Sequence, residues 1–121
     1  MAMPNNQTVW TQEDPLGRTV VSIDSINRAA LSRHTGPDSM TVEEARICVE
    51  RPERIDVSST DSDRNVYYKY EEERGRPPYS RAVVSFAENK IEHADGVLIS
   101  FSRYTKPVSG KTVCINPRNK S

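Results

Sequence analysis

Of the side chains in this sequence, histidine is the one suited to moving protons near neutral pH, and there are two, His34 and His93. His34 closes the stretch Ile23 to Pro37, IDSINRAALSRHTGP, which begins as an amphipathic helix. Ile26, Ala29, Ala30 and Leu31 form its narrow apolar stripe, and Asp24, Asn27, Arg28 and Arg33 its wet side. Gly36 suits a left-handed residue at the helix end, and Pro37 cannot continue the helix. His34 is therefore expected in the last turn, at the negative end of the helix dipole, where it serves either as an acid–base group or as a capping residue bonding the last carbonyls. His93 stands beside Glu92 and Asp95 in an irregular stretch and reads as a surface residue.

Other chemistry is less well supported by spacing. Cys48 and Cys114 lie far apart without a CxxC pair, so they read as buried thiols. A metal site would need four scattered ligands with no local pairing, and no metal or cofactor is expected. The net charge is zero, but every acidic residue lies at or before Asp95. Arg103, Lys106, Lys111, Arg118 and Lys120 follow with no acid among them. Such an end could meet phosphates, or be a solvated terminus.

The positioning elements follow from turn signals and periodicity. Residues 7–12 and 18–22 read as two strands around Glu13-Asp14-Pro15-Leu16-Gly17, a hairpin in which Trp10 is a packing residue. Asp24 or Ser25 could cap the first helix. Thr41-Val42-Glu43-Glu44 is a capping box, followed by the apolar face Val42, Ala45, Cys48 and Val49 and the stop at Pro52. Strands are expected at 54–58, 65–70, 79–87 and 97–102, with turns at 60–64 and 88–90 and an edge strand at 111–115. Residues 91–95 are ambiguous, and Glu71-Glu72-Glu73 reads as a solvated loop. The class is α+β: an N-terminal hairpin and two short helices packed on one face of a four- to five-stranded antiparallel sheet, in a single domain with 1–6 and 116–121 as frayed tails.

Period-two alternation sorts the sheet faces. Ala82, Val84 and Phe86 with Val97, Ile99 and Phe101 are the expected floor for the helices. The other face would collect Lys69, Arg81, Ser100 and Ser102 with Tyr67. That set suits a phosphodiester, and it is equally the ordinary polar side of a half-buried sheet.

The segments TVWTQEDPLGRTVVS, INRAALSRH, VERPERI, NVYYKY, RAVVSF and GVLISFSRY together resemble the phage-associated nucleases of the barnase–EndoU–colicin–RelE-like (BECR) group, over about Val9 to Tyr104. The resemblance implies a metal-independent endoribonuclease, a toxin or phage effector, in which a ribose 2′-hydroxyl attacks the adjacent phosphate to leave a 2′,3′-cyclic phosphate. His34 would be the acid–base; Lys69 and Arg81 would hold the phosphate; Ser100 would bond the phosphate or orient His34. Tyr67 or Tyr68 would stack a base, with Arg103 and Tyr104 as further substrate-binding residues. Ser100 stands where the family commonly has Thr, and Phe101 to Pro107 replaces a short aromatic–proline step. The alternative is a non-catalytic RNA- or protein-binding module of the same fold, or an adaptor domain. Implied partners are RNA and an antitoxin or immunity protein; a homodimer could form through the edge strand near 111–115. The longest apolar runs are too short to span a membrane, and MAMPNNQT lacks the features of a secretory signal, so cytoplasmic residence, or delivery into a target cell's cytoplasm as part of a larger system, is expected.

Overall fold

A computed structural model of the chain describes residues 7–87, 93–107 and 111–115, excluding the side chains of 114 and 115. The expected tails, the turn at 88–90, residues 91–92, the loop at 108–110, Arg118, Lys120 and the Cys114 thiol lie outside these residues.

The chain opens with strands β1 (Thr8–Glu13) and β2 (Thr19–Ile23), paired antiparallel. The buried Asp14 carboxylate shapes their turn by accepting the Leu16 and Arg18 amides at 2.9 and 2.8 Å. β2 runs straight into helix α1 (Asp24–Arg33), with Ile23 at the N-cap and no side-chain cap. Capping falls instead to the backbone, because the Asp24 amide donates to the Gln7 carbonyl at 2.9 Å. Asp24 sits inside the first turn and pairs with Arg28 at 2.8 Å. The stripe of α1 is also rotated from expectation. Ala30 is buried, Leu31 is 38% exposed, and the supposedly wet Asn27 is buried with its Nδ2 donating to Ser22 Oγ at 2.6 Å.

A short 3-10 helix (Gly36–Asp38) follows, with Gly36 in the left-handed region at φ +87°. Helix α2 (Val42–Glu50) begins at the expected capping box: Thr41 Oγ1 accepts the Glu44 amide at 3.0 Å, and Glu44 Oε1 accepts the Thr41 amide at 2.8 Å. Ala45, Cys48 and Val49 are fully buried, as the pattern required. Trp10 Nε1 donates to the Val42 carbonyl at 3.1 Å, joining the hairpin to the start of α2.

The remaining strands are β3 (Arg54–Val57), β4 (Arg64–Tyr70), β5 (Tyr79–Ser85), β6 (Gly96–Tyr104) and β7 (Lys111–Ile115). Their spatial order is β1-β2-β6-β5-β4-β3-β7. The α+β class therefore holds, but among the described residues the sheet has seven strands and is mixed. Neighbours are antiparallel except β2 and β6, which run parallel through Val20↔Gly96 and Val21↔Val97. The hairpin is thus part of the main sheet, supplying partners to the backbone groups of β6 that would otherwise form an open edge. β7 forms the opposite edge beside β3.

The register also corrects the face assignment. Between β5 and β6 the pairing passes from Val83↔Ser100 to Val84↔Leu98, so Ile99 is an extra residue. This bulge reverses the phase of β6 and turns Leu98 to the helix side with Phe101. Ile99 instead packs with Val66, Tyr68 and Val83 on the reverse face. The helix-side core holds Val20, Ile55, Tyr67, Ala82, Val84, Leu98 and Phe101 against Ala30, Ala45, Cys48 and Val49. Tyr67 pairs with Ala82 and Lys69 with Ser80, while Arg81 pairs with Tyr68 and Ser102. Lys69 and Tyr67 therefore face the helices, and Arg81, Ser100 and Ser102 face away.

Candidate functional site

His34 lies one residue beyond α1, at the C-cap in extended conformation (φ −127°, ψ 94°). The turn through Gly36 folds the chain back, so that Asp38 Oδ2 comes within 3.5 Å of His34 Nδ1. The His34 side chain is 27% exposed, on the wall of a groove of about 660 Å³. Leu31, Met40 and Val42 line the apolar part of this groove, and Thr41, Glu44 and Arg76 its polar part. A carboxylate beside Nδ1 leaves Nε2 for a substrate, which is an arrangement that suits an acid–base histidine.

Arg76 is the groove's fixed cation. Its guanidinium pairs with Glu44 at 3.3 Å and Glu73 at 2.9 Å, and Nη2 donates to the Ser39 carbonyl at 2.5 Å. These contacts strap the loop between β4 and β5 to the start of α2. Burial pushes the Glu44 carboxyl up, but the Thr41 amide and Arg76 outweigh it and hold the group below its ordinary value. Glu44 is thus an anion on the groove wall. Glu44, Glu71 and Glu73 also place carboxylate oxygens within 4.8 Å of one another. Arg76 already bonds two of the three, and exposed acids cluster commonly without an ion.

The other expected residues do not join His34. Lys69 lines a small hollow with Glu44, Ile47, Glu71 and Ser80, and its Nζ lies 3.5 Å from Glu71. Tyr67 is fully buried; its hydroxyl donates to Asp14 at 2.5 Å and accepts from Arg18 Nη2 at 3.1 Å. Arg18 also bonds Asn65 and stacks 4.1 Å from the Phe86 ring centre, so this network fastens the hairpin to β4. Burial and the neighbouring Asp14 push the Tyr67 hydroxyl well above the usual phenol range. It is a structural residue.

Arg103 is likewise interior, at 2% exposure. Its Nε and Nη2 donate to the Pro77 and Glu71 carbonyls, both at 2.7 Å, and Nη1 to Ser80 Oγ at 3.4 Å. A substrate could not reach it without unmaking that loop. Arg81, Ser100, Tyr68 and Tyr104 occupy the sheet face turned away from the helices. There the Arg81 guanidinium stacks 4.5 Å from the Tyr104 ring centre, while Tyr68 is 1% exposed. The proposed quartet His34, Lys69, Arg81 and Ser100 is therefore divided between two sides of the sheet.

Sequence reasoning missed Asp38, although its i+4 spacing from His34 across a Gly-Pro turn was a usable signal. It also missed Arg76, whose partners Glu44 and Ser39 are more than thirty residues distant in sequence. Cys48 is buried as expected; burial pushes its thiol up to about 12. His93 is exposed, with φ +66°. Among the described residues no helix is long and apolar enough to cross a membrane. No family model matches this chain, and neither a curated protein nor a solved structure gives a match.

Proposed function

We propose that this protein is an endoribonuclease whose proton-transfer group is His34. The observation that carries the reading is the His34–Asp38 pair, with His34 on the wall of the groove between α1 and α2. His34 Nε2 takes the proton of a ribose 2′-hydroxyl, whose oxygen attacks the adjacent phosphorus. The P–O5′ bond then breaks, leaving a 2′,3′-cyclic phosphate, and the proton passes to the departing 5′-oxygen. Asp38 orients the ring and balances the imidazolium during transfer. Arg76, which lines the same groove, is the cation for the phosphate, which would compete with the exposed Glu73 for Nη1. The reading thus rests on His34, Asp38 and Arg76, and leaves Arg81 and Ser100 outside the reacting centre. A toxin or effector role, with an inhibitory partner, belongs to this same proposal.

The test is incubation of purified protein with total RNA in excess EDTA, alongside His34→Ala. Cleavage by the wild type with cyclic-phosphate ends is expected, with a loss of roughly 100-fold or more in the variant. RNA left intact by folded wild type across pH and salt would overturn the proposal. Equal cleavage by both proteins would remove His34 from the mechanism.

A further inference from the structure

The sheet face turned away from the helices carries an arginine whose charge the fold does not answer. Arg81 on β5 is half-buried, yet among the described residues its guanidinium makes no ion pair and no hydrogen bond, and its Nε is buried without an acceptor. The contact it does make is with the Tyr104 ring, 4.5 Å from the ring centre. A partly desolvated guanidinium has five donors, and leaving them without acceptors ordinarily costs stability. A bound acceptor would relieve that cost.

Arg81 lines a hollow of about 240 Å³ on that face. Val57 and Tyr104, both half-buried, give it reachable apolar surface, and Ser58 and Thr60 form a rim. Asp56 borders the hollow too, but it is 1% exposed and already paired with Arg54 at 3.0 Å, so its carboxylate is not presented to a ligand. What remains is one positive charge beside an aromatic ring. A single charge matches a monoanion, and a planar carboxylate meets two guanidinium N–H groups side by side. A phosphate matches less well, because phosphate sites ordinarily gather several cations or a run of free amides. Here the Ser58 and Thr60 hydroxyls already bond each other at 3.1 Å, and the Thr60 amide donates to Ser58 Oγ at 3.2 Å. The volume lies below the roughly 300–1,000 Å³ of pockets for drug-sized ligands, which suits one ring with its acid group.

We propose that this hollow binds a small carboxylic acid with a flat apolar body, of the size of benzoate or phenylacetate. The carboxylate pairs with the outer nitrogens of Arg81, and the ring lies against Tyr104 and Val57. The site is on the face away from His34 and does not depend on that residue's role.

The experiment titrates the full chain with benzoate, phenylacetate, acetate, benzamide, inorganic phosphate and a short single-stranded RNA, following backbone amide shifts by NMR. The two aromatic acids should saturate with a dissociation constant of about 1 mM or lower, and their shifts should centre on Val57 to Thr60, Arg81 and Tyr104. Acetate lacks the ring and benzamide lacks the charge, so each should bind about tenfold or more weakly. Arg81→Gln should weaken the aromatic acids about tenfold or more with the thermal midpoint little changed, and Tyr104→Ala should bring them down to the affinity of acetate. His34→Ala should leave them unaffected. No saturable binding of either aromatic acid by folded wild type, or shifts centred elsewhere, would overturn the proposal. So would acetate or benzamide binding as tightly as benzoate, or an Arg81→Gln protein that binds like the wild type. Phosphate or RNA binding at these residues more tightly than the aromatic acids would also overturn it and give the hollow to a phosphate.

Discussion

Arg103 is the residue on which the sequence and the structure disagree most, and its replacement offers a measurable test. Read as part of a basic C-terminal end it should touch substrate; in the fold it is 2% exposed and holds the Glu71–Pro77 loop from beneath. Arg103→Ala removes two charge-assisted hydrogen bonds of 2.7 Å, each worth about 1.5–3 kcal/mol. The freed carbonyls lie at a part-buried boundary where water can reach them, which places the expected loss near the lower end of the sum, about 3 kcal/mol. For a chain of 121 residues that corresponds to roughly a 12 °C fall in thermal midpoint. Urea denaturation should show a lower midpoint with an unchanged slope, since the surface exposed on unfolding is the same. Arg81→Ala, at a half-buried site with no ion pair among those described, should change the stability by less than about 1 kcal/mol. An Arg103→Ala protein within about 1 kcal/mol of the wild type would refute the assignment of Arg103 to the interior and return it to the surface.

Two further outcomes can be measured alongside. Gly96→Ala should destabilise by about 1–3 kcal/mol in the same urea assay, because a β-carbon there would lie 2.6 Å from Phe86 and 2.8 Å from Val84, inside the packed core. The Cys48 thiol should resist alkylation in the native state. Its value near 12 lies above the ordinary 9.0, so the folded state favours the protonated form. The corresponding stability is full below about pH 9 and lost as pH rises toward 12; at most it is about 4 kcal/mol. A Cys48→Ala protein should therefore show a shallower alkaline loss of stability, and an equal loss would remove Cys48 as its source.

Local chemistry made much of the fold legible. The turn at Asp14–Gly17, the capping box at Thr41 and Glu44, the stop at Pro52 and the edge strand at Lys111–Ile115 each depend on residues a few positions apart. They emerge as read because nothing distant overrides them. The candidate site was legible only at His34. Asp38 reaches it through the reversal at Gly36, and Arg76 arrives from the loop between β4 and β5, two central strands of the sheet.

What the sequence by itself determined is the class, the helices and strands, and the single histidine placed at a helix end. Only the tertiary structure decided which groups meet. The parallel pairing of β2 with β6 joins segments more than seventy residues apart and leaves no local trace, and the extra Ile99 in β6 reverses a face that alternation alone assigns the other way. Because side chains alternate with a period of two, one inserted residue exchanges the inside and outside of a strand. Tyr67 lies inside because it pairs with Ala82 on the helix side, Arg103 because it shares the face of Phe101, and Arg81 lies on the face opposite His34. Pairing across a sheet is set by which strands share hydrogen bonds and buried surface, and that is a property of the whole packed chain.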